Sequence, residues 1–234
     1  MEETAFAPDQ PRPVAALGTE ERSAFIVRTY AHLYGAIVAF TLLEAFLFAT
    51  GLAHAIAGVL LGTSWLFVLG GFIVVSWLAT HVAHRATSLP AQYAALGAYV
   101  VAEAIVFVPM LFVAQYHAPG TIQSAALVTL VGFGLLTAVA MWTRQDLSFL
   151  EGIIRWAMAV ALLVIVAGLV FGFELGPMFS VAMIGLAGAA ILYDTSNVLH
   201  HYPEDRYVGA SLELFASVAL MFWYVLRLFA SSDD

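Results

Sequence analysis

The stretch ILYDTSNVLHHYPEDRYVGASLELF occupies residues 191–215 and joins two apolar segments through a short polar turn. An acid lies within each flank, Asp194 before the turn and Glu213 after it. A charge at the centre of a bilayer costs about 2.5–3.5 kcal/mol even on the insertion scale that gives the lowest values. If these segments span a membrane, the two acids must therefore face protein or water rather than lipid.

The whole chain has the composition of a membrane protein. Of its 234 residues, 62% are hydrophobic and 10% are charged, whereas soluble domains are about half apolar and about a quarter charged. A spanning helix needs about 20 mostly apolar residues. The stretches that meet this length are 30–50, 63–81, 91–114, 121–142, 148–171, 177–198 and 208–229. Short connections between them predict a single all-α bundle of seven transmembrane helices.

Two polar ends flank the predicted membrane domain, which covers residues 29–230. Residues 1–28 contain several prolines and charges of both signs, without the basic region and short apolar core of a signal peptide. They are predicted to form a flexible cytoplasmic tail. Residues 231–234 are predicted to be a short acidic C-terminal tail.

Arginine positions predict the orientation, because positive residues are retained on the cytoplasmic side during insertion. Three arginines precede the first span, and the others outside the spans lie in alternate connections. These residues are Arg12, Arg22, Arg28, Arg85, Arg144 and Arg206. The pattern predicts a cytoplasmic N-terminus and an external C-terminus, although Arg227, near the outer end of the last span, argues against it.

Three charged residues are expected to meet near the cytoplasmic surface. A rise of 1.5 Å per residue places Asp194, Glu213 and Arg155 roughly 6–11 Å below that surface. Because the last connection is short, Asp194 and Glu213 are expected to face each other. Two close carboxylates cannot both ionise cheaply unless a cation such as Arg155 opposes their repulsion. The cluster is therefore a candidate proton-sensitive latch, and the alternative is a static ion cluster that holds three helices in register.

Glu103 and Glu44 lie deeper, about 18 and 21 Å from the same boundary. A ladder of carboxylates is a candidate path for protons or calcium, since hard cations favour clustered oxygen ligands. The alternative is that each glutamate only forms a hydrogen bond with a neighbouring helix.

Two motifs resemble those of a known family. The stretch at 191–215, together with TRQDLSFLEGII at 143–154, is similar to the Bax inhibitor-1 (transmembrane Bax inhibitor motif) family, and most closely to its bacterial branch, typified by the modulator of the membrane protease FtsH. The resemblance implies a multi-pass protein of the bacterial cytoplasmic (inner) membrane whose last helix is central. Calcium-leak members use two aspartates as a pH-sensitive latch. Asp194 matches the first, whereas Ser217 stands at the second, which favours the protease-modulator branch.

For that branch, the resemblance implies a regulator of membrane-protein quality control. It would engage a hexameric ATP-dependent membrane protease of the AAA type, with the N-terminal tail offered as a poorly processed substrate. A tail that is only a disordered end is the alternative. The second functional hypothesis is a pH-sensitive calcium or proton leak, gated by a carboxylate latch centred on Asp194 with Glu213 as its second acid.

Other function classes are disfavoured by what the sequence lacks. The chain has no Lys and no basic stripe, so a nucleic-acid partner is not expected. It also lacks Cys and the HExxH, GxSxG and P-loop motifs. Histidines that would form a zinc hydrolase site with Asp194 are His81, His84, His200 and His201, but solvated interfacial histidine is the ordinary interpretation of such positions. We therefore expect no enzyme activity, no cofactor and no resident metal.

Overall fold

The computed structural model of the protein describes residues 12–86 and 88–231. Within these residues the chain forms eight α-helices and no β-strand, besides a short 3-10 turn at Val14–Ala16. The helices are α1 Thr19–Ala49, α2 Leu52–Leu61, α3 Trp65–Arg85, α4 Leu89–His117, α5 Thr121–Thr143, α6 Leu150–Phe171, α7 Pro177–His200 and α8 Tyr207–Ala230.

Seven of these helices are long and apolar enough to cross a membrane, namely α1 and α3 to α8. The predicted all-α, seven-span bundle is therefore confirmed. Helix α2 was not predicted, because its ten residues are too short to span and lie in a connection. It packs against α1 and α4 through Ala53 and Ala57, which contact Leu47 and Val108 in one buried cluster.

The first helix begins earlier than the sequence indicated. Helix α1 starts at Thr19 rather than at residue 30, so residues 19–28 of the predicted tail are helical. Its first turns carry charged residues, so a search for apolar stretches does not find them. One of these residues, Glu21, helps to cap the helix by accepting a hydrogen bond from the backbone N–H of Gly18. Residues 1–11 lie outside the described part of the chain, and so do residues 232–234 at the other end. The flexibility predicted for the tail stays a prediction.

Turns between the spans are made by residues that accept a left-handed backbone. Gly120, which follows Pro119, has φ 90° and precedes α5, and Gly172 has φ 72° and ends α6. Glycine adopts this region without steric cost because it has no Cβ. Arg144 is the non-glycine residue in this region, with φ 50°, and it ends α5. The chain therefore reverses direction within a few residues at each of these places.

Helix α8 forms the centre of the bundle, as the resemblance implies. It packs against α1, α3, α4, α5 and α7, and Val208, Leu212, Leu214 and Leu226 are fully buried along it. Helix α6 instead lies at the edge and contacts only α7 and α3. Large apolar side chains such as Trp156 and Phe171 on α6 are exposed, as expected for a surface that faces lipid.

One end of the bundle, called here the arginine-rich end, gathers the start of α1 and the α3–α4, α5–α6 and α7–α8 connections. Side chains there donate hydrogen bonds to main-chain carbonyls of other segments: Arg22 to Leu199, Gln92 and Arg206 to Ala86. These bonds satisfy carbonyls at helix ends that have no intrahelical partner. The connections at this end are thus held together as one layer. The structure does not test whether this layer is cytoplasmic, so the orientation stays a prediction.

Residues 12–18, called here the N-terminal arm, belong to the same layer. The arm pairs with the α7–α8 connection, where the N–H of Val14 donates to Tyr202 O at 2.9 Å and that of Glu204 donates to Arg12 O at 3.1 Å. The Arg12 guanidinium lies 3.1 Å from the Glu204 carboxylate, and this contact raises the pKa of Arg12. Val14 is fully buried and belongs to the same core cluster as Tyr202.

Helices α3 and α8 approach each other closely at Gly209, and this contact is testable. A Cβ at Gly209 would lie 3.0 Å from the main-chain oxygen of Ala83. We expect Gly209→Val to destabilise the bundle by about 1–3 kcal/mol, because the added methyl groups force the two backbones apart. The melting temperature of purified protein in dodecyl maltoside measures this. At Gly97 a Cβ would meet nothing within 4 Å, so Gly97→Val is the control, and equal losses for both variants would contradict the prediction.

Candidate functional site

A pocket of about 530 Å³ opens at the arginine-rich end between α3, α6, α7 and α8. We call it the acidic pocket, because three carboxylates line it. Its lining residues are Thr80, His84, Glu151, Ile154, Arg155, Tyr193, Asp194, Asn197, His201, Tyr202, Pro203 and Glu213. Asp194 lies six residues before the end of α7 and Glu213 six residues after the start of α8. Both are therefore roughly 9 Å from the ends of their helices.

Asp194 has Ser217 as its hydrogen-bond partner, the residue that the family resemblance places at the second position of the latch. The hydroxyl of Ser217 donates to Asp194 Oδ2 at 2.6 Å, and both side chains are buried. The prediction that Asp194 pairs directly with Glu213 is therefore not what the structure shows. The two acids line one pocket, but each has a different partner. Residues 213 and 217 lie on the same face of α8 but one helical turn apart. Ser217 is therefore at the level of Asp194 on α7, whereas Glu213 is at the level of His84 on α3.

Glu213 faces α3 instead. Its Oε1 lies 3.7 Å from Nε2 of His84. The other ring nitrogen of His84, Nδ1, bonds to the main-chain oxygen of Thr80 at 2.8 Å and must carry a hydrogen, since a carbonyl only accepts. In a neutral ring Nε2 is then an acceptor for the hydroxyl of Tyr202, 3.3 Å away, and in a charged ring it presents a proton toward Glu213.

Arg155 does not neutralise the two buried acids. It forms an ion pair with Glu151, four residues earlier on α6, and its side chain is 78% exposed. The expected three-helix cluster of Asp194, Glu213 and Arg155 is therefore a shared pocket rather than a set of direct ion pairs. An exposed pair of this kind contributes little to stability. Because both of its members lie on α6, it forms no ion pair that would hold α6 against α7 and α8.

The two motifs that carry the family resemblance meet at the mouth of this pocket. Ser196 on α7 accepts from the N–H of Leu147 at 2.9 Å and donates to Gln145 O at 3.2 Å. Asp146 lies 3.0 Å from the ring of His201. Hydrogen bonds from His201 and from the backbone of Ser148 lower the pKa of Asp146 to about 2. The α5–α6 connection is thereby fixed to the end of α7, two residues beyond Asp194.

The deeper acids predicted as an ion path do not line the acidic pocket. Glu103 is buried on α4 and has Tyr99, one turn earlier, as its hydrogen-bonding neighbour. Glu44 lies in a second pocket of about 200 Å³ between α1, α4, α5 and α8. This second pocket lies toward the C-terminal end of α1 and is therefore distant from the arginine-rich end of the bundle, where α1 starts. A path through Glu103 and Glu44 stays a prediction.

A metal centre has no support in the described ranges, 12–86 and 88–231, because no group of three or more His, Asp or Glu side chains is arranged to hold an ion. Of the histidines considered for zinc, His84 and His201 line the acidic pocket with Asp194, but His200 bonds its own helix through Ser196 O.

Sequence reasoning missed the role of Tyr202 at this site. Its ring stacks on His84 with centroids 5.9 Å apart, and the residue is buried. Burial raises the pKa of its hydroxyl. The proximity of HHYPEDR to Asp194 along the chain was the available signal. His84 could not be placed beside Glu213 in this way, because that contact joins residues far apart in sequence.

Comparison with known proteins shows the family of this chain. The family described as "Inhibitor of apoptosis-promoting Bax1" matches residues 22–234. The chain belongs to this Bax inhibitor family. The match begins three residues after the start of α1 and includes the other six spanning helices, both motifs that meet at Ser196 and every residue that lines the acidic pocket.

Three relatives show how far the similarity extends. The modulator of FtsH protease YccA of Escherichia coli K12 is 32% identical over 108 residues, covering 45% of this chain and 49% of YccA. A BI1-like protein of Arabidopsis thaliana is 31% identical over 121 residues, covering 48% and 46%. An uncharacterized protein of Pseudomonas aeruginosa is 35% identical over 114 residues, covering 47% and 50%. The chain thus spans about half the length of the curated relatives it matches.

Ser217 offers a direct test of the site geometry. Replacing it with Ala leaves buried Asp194 without its hydroxyl donor, and leaving a buried polar group unsatisfied costs about 1–3 kcal/mol. Ser211, another buried serine of α8, donates only to Val208 O of its own helix. We expect Ser217→Ala to lower the melting temperature in detergent clearly more than Ser211→Ala. A smaller effect at position 217 would show that Asp194 does not depend on this bond.

Proposed function

We propose that this protein regulates membrane-protein quality control by engaging an ATP-dependent membrane protease. The observation that carries the proposal is the similarity to YccA, which is named a modulator of FtsH protease and is 32% identical over 108 residues. A counterpart in a second Escherichia coli strain is named an inner membrane protein, which supports placement of this chain in a bacterial inner membrane. Family membership alone would support only a multi-pass membrane protein.

The arginine-rich end supplies a surface suited to such an interaction. The N-terminal arm is fastened to the α7–α8 connection by two main-chain hydrogen bonds and an ion pair between Arg12 and Glu204. The chain before Arg12 therefore leads into a layer in which three connections and the start of α1 are tied together. A protease that pulls on the N-terminus would have to break this layer before it reached α1. In our proposal, that resistance makes the chain a poor substrate that occupies the protease.

The arm also fixes how the proposal must be tested. Residues 12–28 include buried Val14 and Phe25, so a deletion that reached them would remove part of the core. A deletion of residues 2–11 keeps the arm, its contacts with the α7–α8 connection and all of α1. Loss of function in that variant would therefore not be explained by loss of the fold.

We expect full-length protein, reconstituted with a purified hexameric membrane protease, to slow the degradation of a membrane substrate. The variant without residues 2–11 should lose this effect while keeping the wild-type melting temperature. The measurement is the rate at which a fluorescently labelled substrate disappears in proteoliposomes, with and without an equimolar amount of each variant.

Removal of residues 232–234 is the matched control, because it shortens the chain beyond α8, which ends away from the arginine-rich end. This control should slow degradation as the full chain does. If the variant without residues 2–11 slows degradation equally, the N-terminus is not the element that engages the protease. If the full chain has no effect on the rate, the proposed modulation itself is wrong.

A second candidate function is a pH-sensitive leak of calcium or protons. The observation that favours it is the acidic pocket, which reaches Asp194 and Glu213 from the arginine-rich end. This chain has Ser217 where the calcium-leak members have their second aspartate, so one acidic residue fewer lies near Asp194. Glu213, one turn nearer the mouth, would be the second acid of the latch in this chain.

For the leak, we expect vesicles that contain the protein to pass calcium or protons faster than empty vesicles. Asp194→Asn should abolish the difference, because it removes the carboxylate at the inner wall of the pocket. Dyes trapped in the vesicles, one sensitive to calcium and one to pH, report the flux. Ser211→Ala removes a buried polar group of α8 that lies outside the pocket and outside the candidate ion path, and it should leave the flux unchanged. Wild-type flux equal to that of empty vesicles would reject the leak.

A further inference from the structure

The second pocket contains polar atoms for which the fold provides no partner. Neither carboxylate oxygen of Glu44 accepts a hydrogen bond within the described residues, although only 7% of this residue is exposed. The hydroxyl of Thr129, on α5, is buried and unpaired as well. Both residues line this pocket. A buried carboxyl group without a partner is either protonated or paired with a cation, and the described chain supplies no hydrogen-bond partner for these three oxygen atoms.

The remaining walls of the pocket restrict what that donor can be. Phe40, Phe215 and Phe222 line it. They belong to one aromatic cluster, in which Phe40 lies 5.2 Å from Phe107 and 6.1 Å from Phe215, and Phe107 lies 5.5 Å from Phe222, measured between ring centroids. The faces of aromatic rings attract cations, most strongly where water is excluded. A pocket lined by one acid and three phenyl rings therefore has chemistry that suits an organic ammonium ion.

The pocket also opens toward the lipid-facing surface. Thr41 and Leu130, at its rim, are exposed. Glu44 lies five residues before the end of α1, so it is roughly 8 Å from that helix end. A ligand can therefore enter from the bilayer, with its charged group at Glu44 and an apolar tail among the acyl chains.

We propose that this pocket binds an amphipathic amine, a primary ammonium ion that carries an apolar tail. The three N–H donors of such an ion match the three unpaired oxygen atoms, two on Glu44 and one on Thr129. Its charge is opposite to that of a glutamate that has no cation beside it. The volume of about 200 Å³ admits a small head and part of a chain rather than a large ligand.

A phosphate-bearing lipid does not fit this chemistry. Neither Arg nor Lys is among the residues that line the pocket in the described chain. A phosphate drawn in beside Glu44 would meet a like charge with no cation to offset it. We therefore assign the site to a phosphate-free amine rather than to the headgroup of an aminophospholipid.

This proposal is independent of the proposed protease regulation. The amine pocket lies between α1, α4, α5 and α8, whereas the N-terminal arm and the acidic pocket lie at the arginine-rich end. Failure of either proposal leaves the other unchanged, because binding of an amine and degradation of a substrate are measured separately.

The test uses full-length protein in dodecyl maltoside and n-hexylammonium as the probe, with binding followed by saturation-transfer NMR. We expect saturable binding of hexylammonium and at least tenfold weaker binding of hexanol and hexanoate, which carry the same tail without the cation. Glu44→Gln should weaken hexylammonium about tenfold or more, since it removes a charge-assisted hydrogen bond. Thr129→Val should weaken it by a smaller factor.

Two matched variants keep the result specific. Glu103→Gln removes another buried acid, and Thr137→Val removes another buried threonine of α5, and neither residue lines the pocket. Both should bind hexylammonium as the wild type does. Equal affinity for hexylammonium and hexanol in the wild type would overturn the proposal whether or not any variant folds. Displacement by dihexanoyl phosphatidylethanolamine at a similar concentration would overturn the assignment to a phosphate-free amine.

Discussion

Enclosure of α8 by five other helices is the constraint on which the other features of this bundle depend. A helix with protein on every side cannot place its polar groups in lipid headgroups or bulk water, so each polar group must find a partner within the protein. Ser217 finds Asp194 on α7, and Glu213 finds His84 on α3. The acids of the last two helices are therefore tolerated because of where α8 lies.

The two pockets show opposite ways of accommodating acids in a membrane. At the arginine-rich end, Asp194 and Glu213 each have a protein partner and share a pocket with His84 and Tyr202. In the other pocket, Glu44 has apolar and aromatic neighbours and no hydrogen-bond partner in the described chain. The first arrangement can be explained by the fold alone. The second leaves a buried carboxyl group without a partner, which opposes folding, and the proposed amine would supply the missing interaction.

The number of spans could be predicted from the sequence, because it depends on runs of apolar residues that are visible along the chain. The start of α1 could not, since charged residues such as Glu20 and Arg22 occupy its first turns. The candidate residues at the arginine-rich end were chosen by depth, and depth follows from the helical rise. Their partners depend on how each helix is rotated and on contacts such as His84 with Glu213, which join distant segments. Periodicity along one segment does not contain that information.

Tyr202 connects the two features of the arginine-rich end that bear on function. Its main-chain oxygen accepts from Val14 of the N-terminal arm, whereas its hydroxyl lies at His84, the neighbour of Glu213. A displacement of the arm must therefore change either the hydrogen bond to Val14 or the position of the Tyr202 ring in the acidic pocket. The proposed protease engagement and the proposed leak would accordingly act on one structure, because Tyr202 joins the N-terminal arm to the acidic pocket.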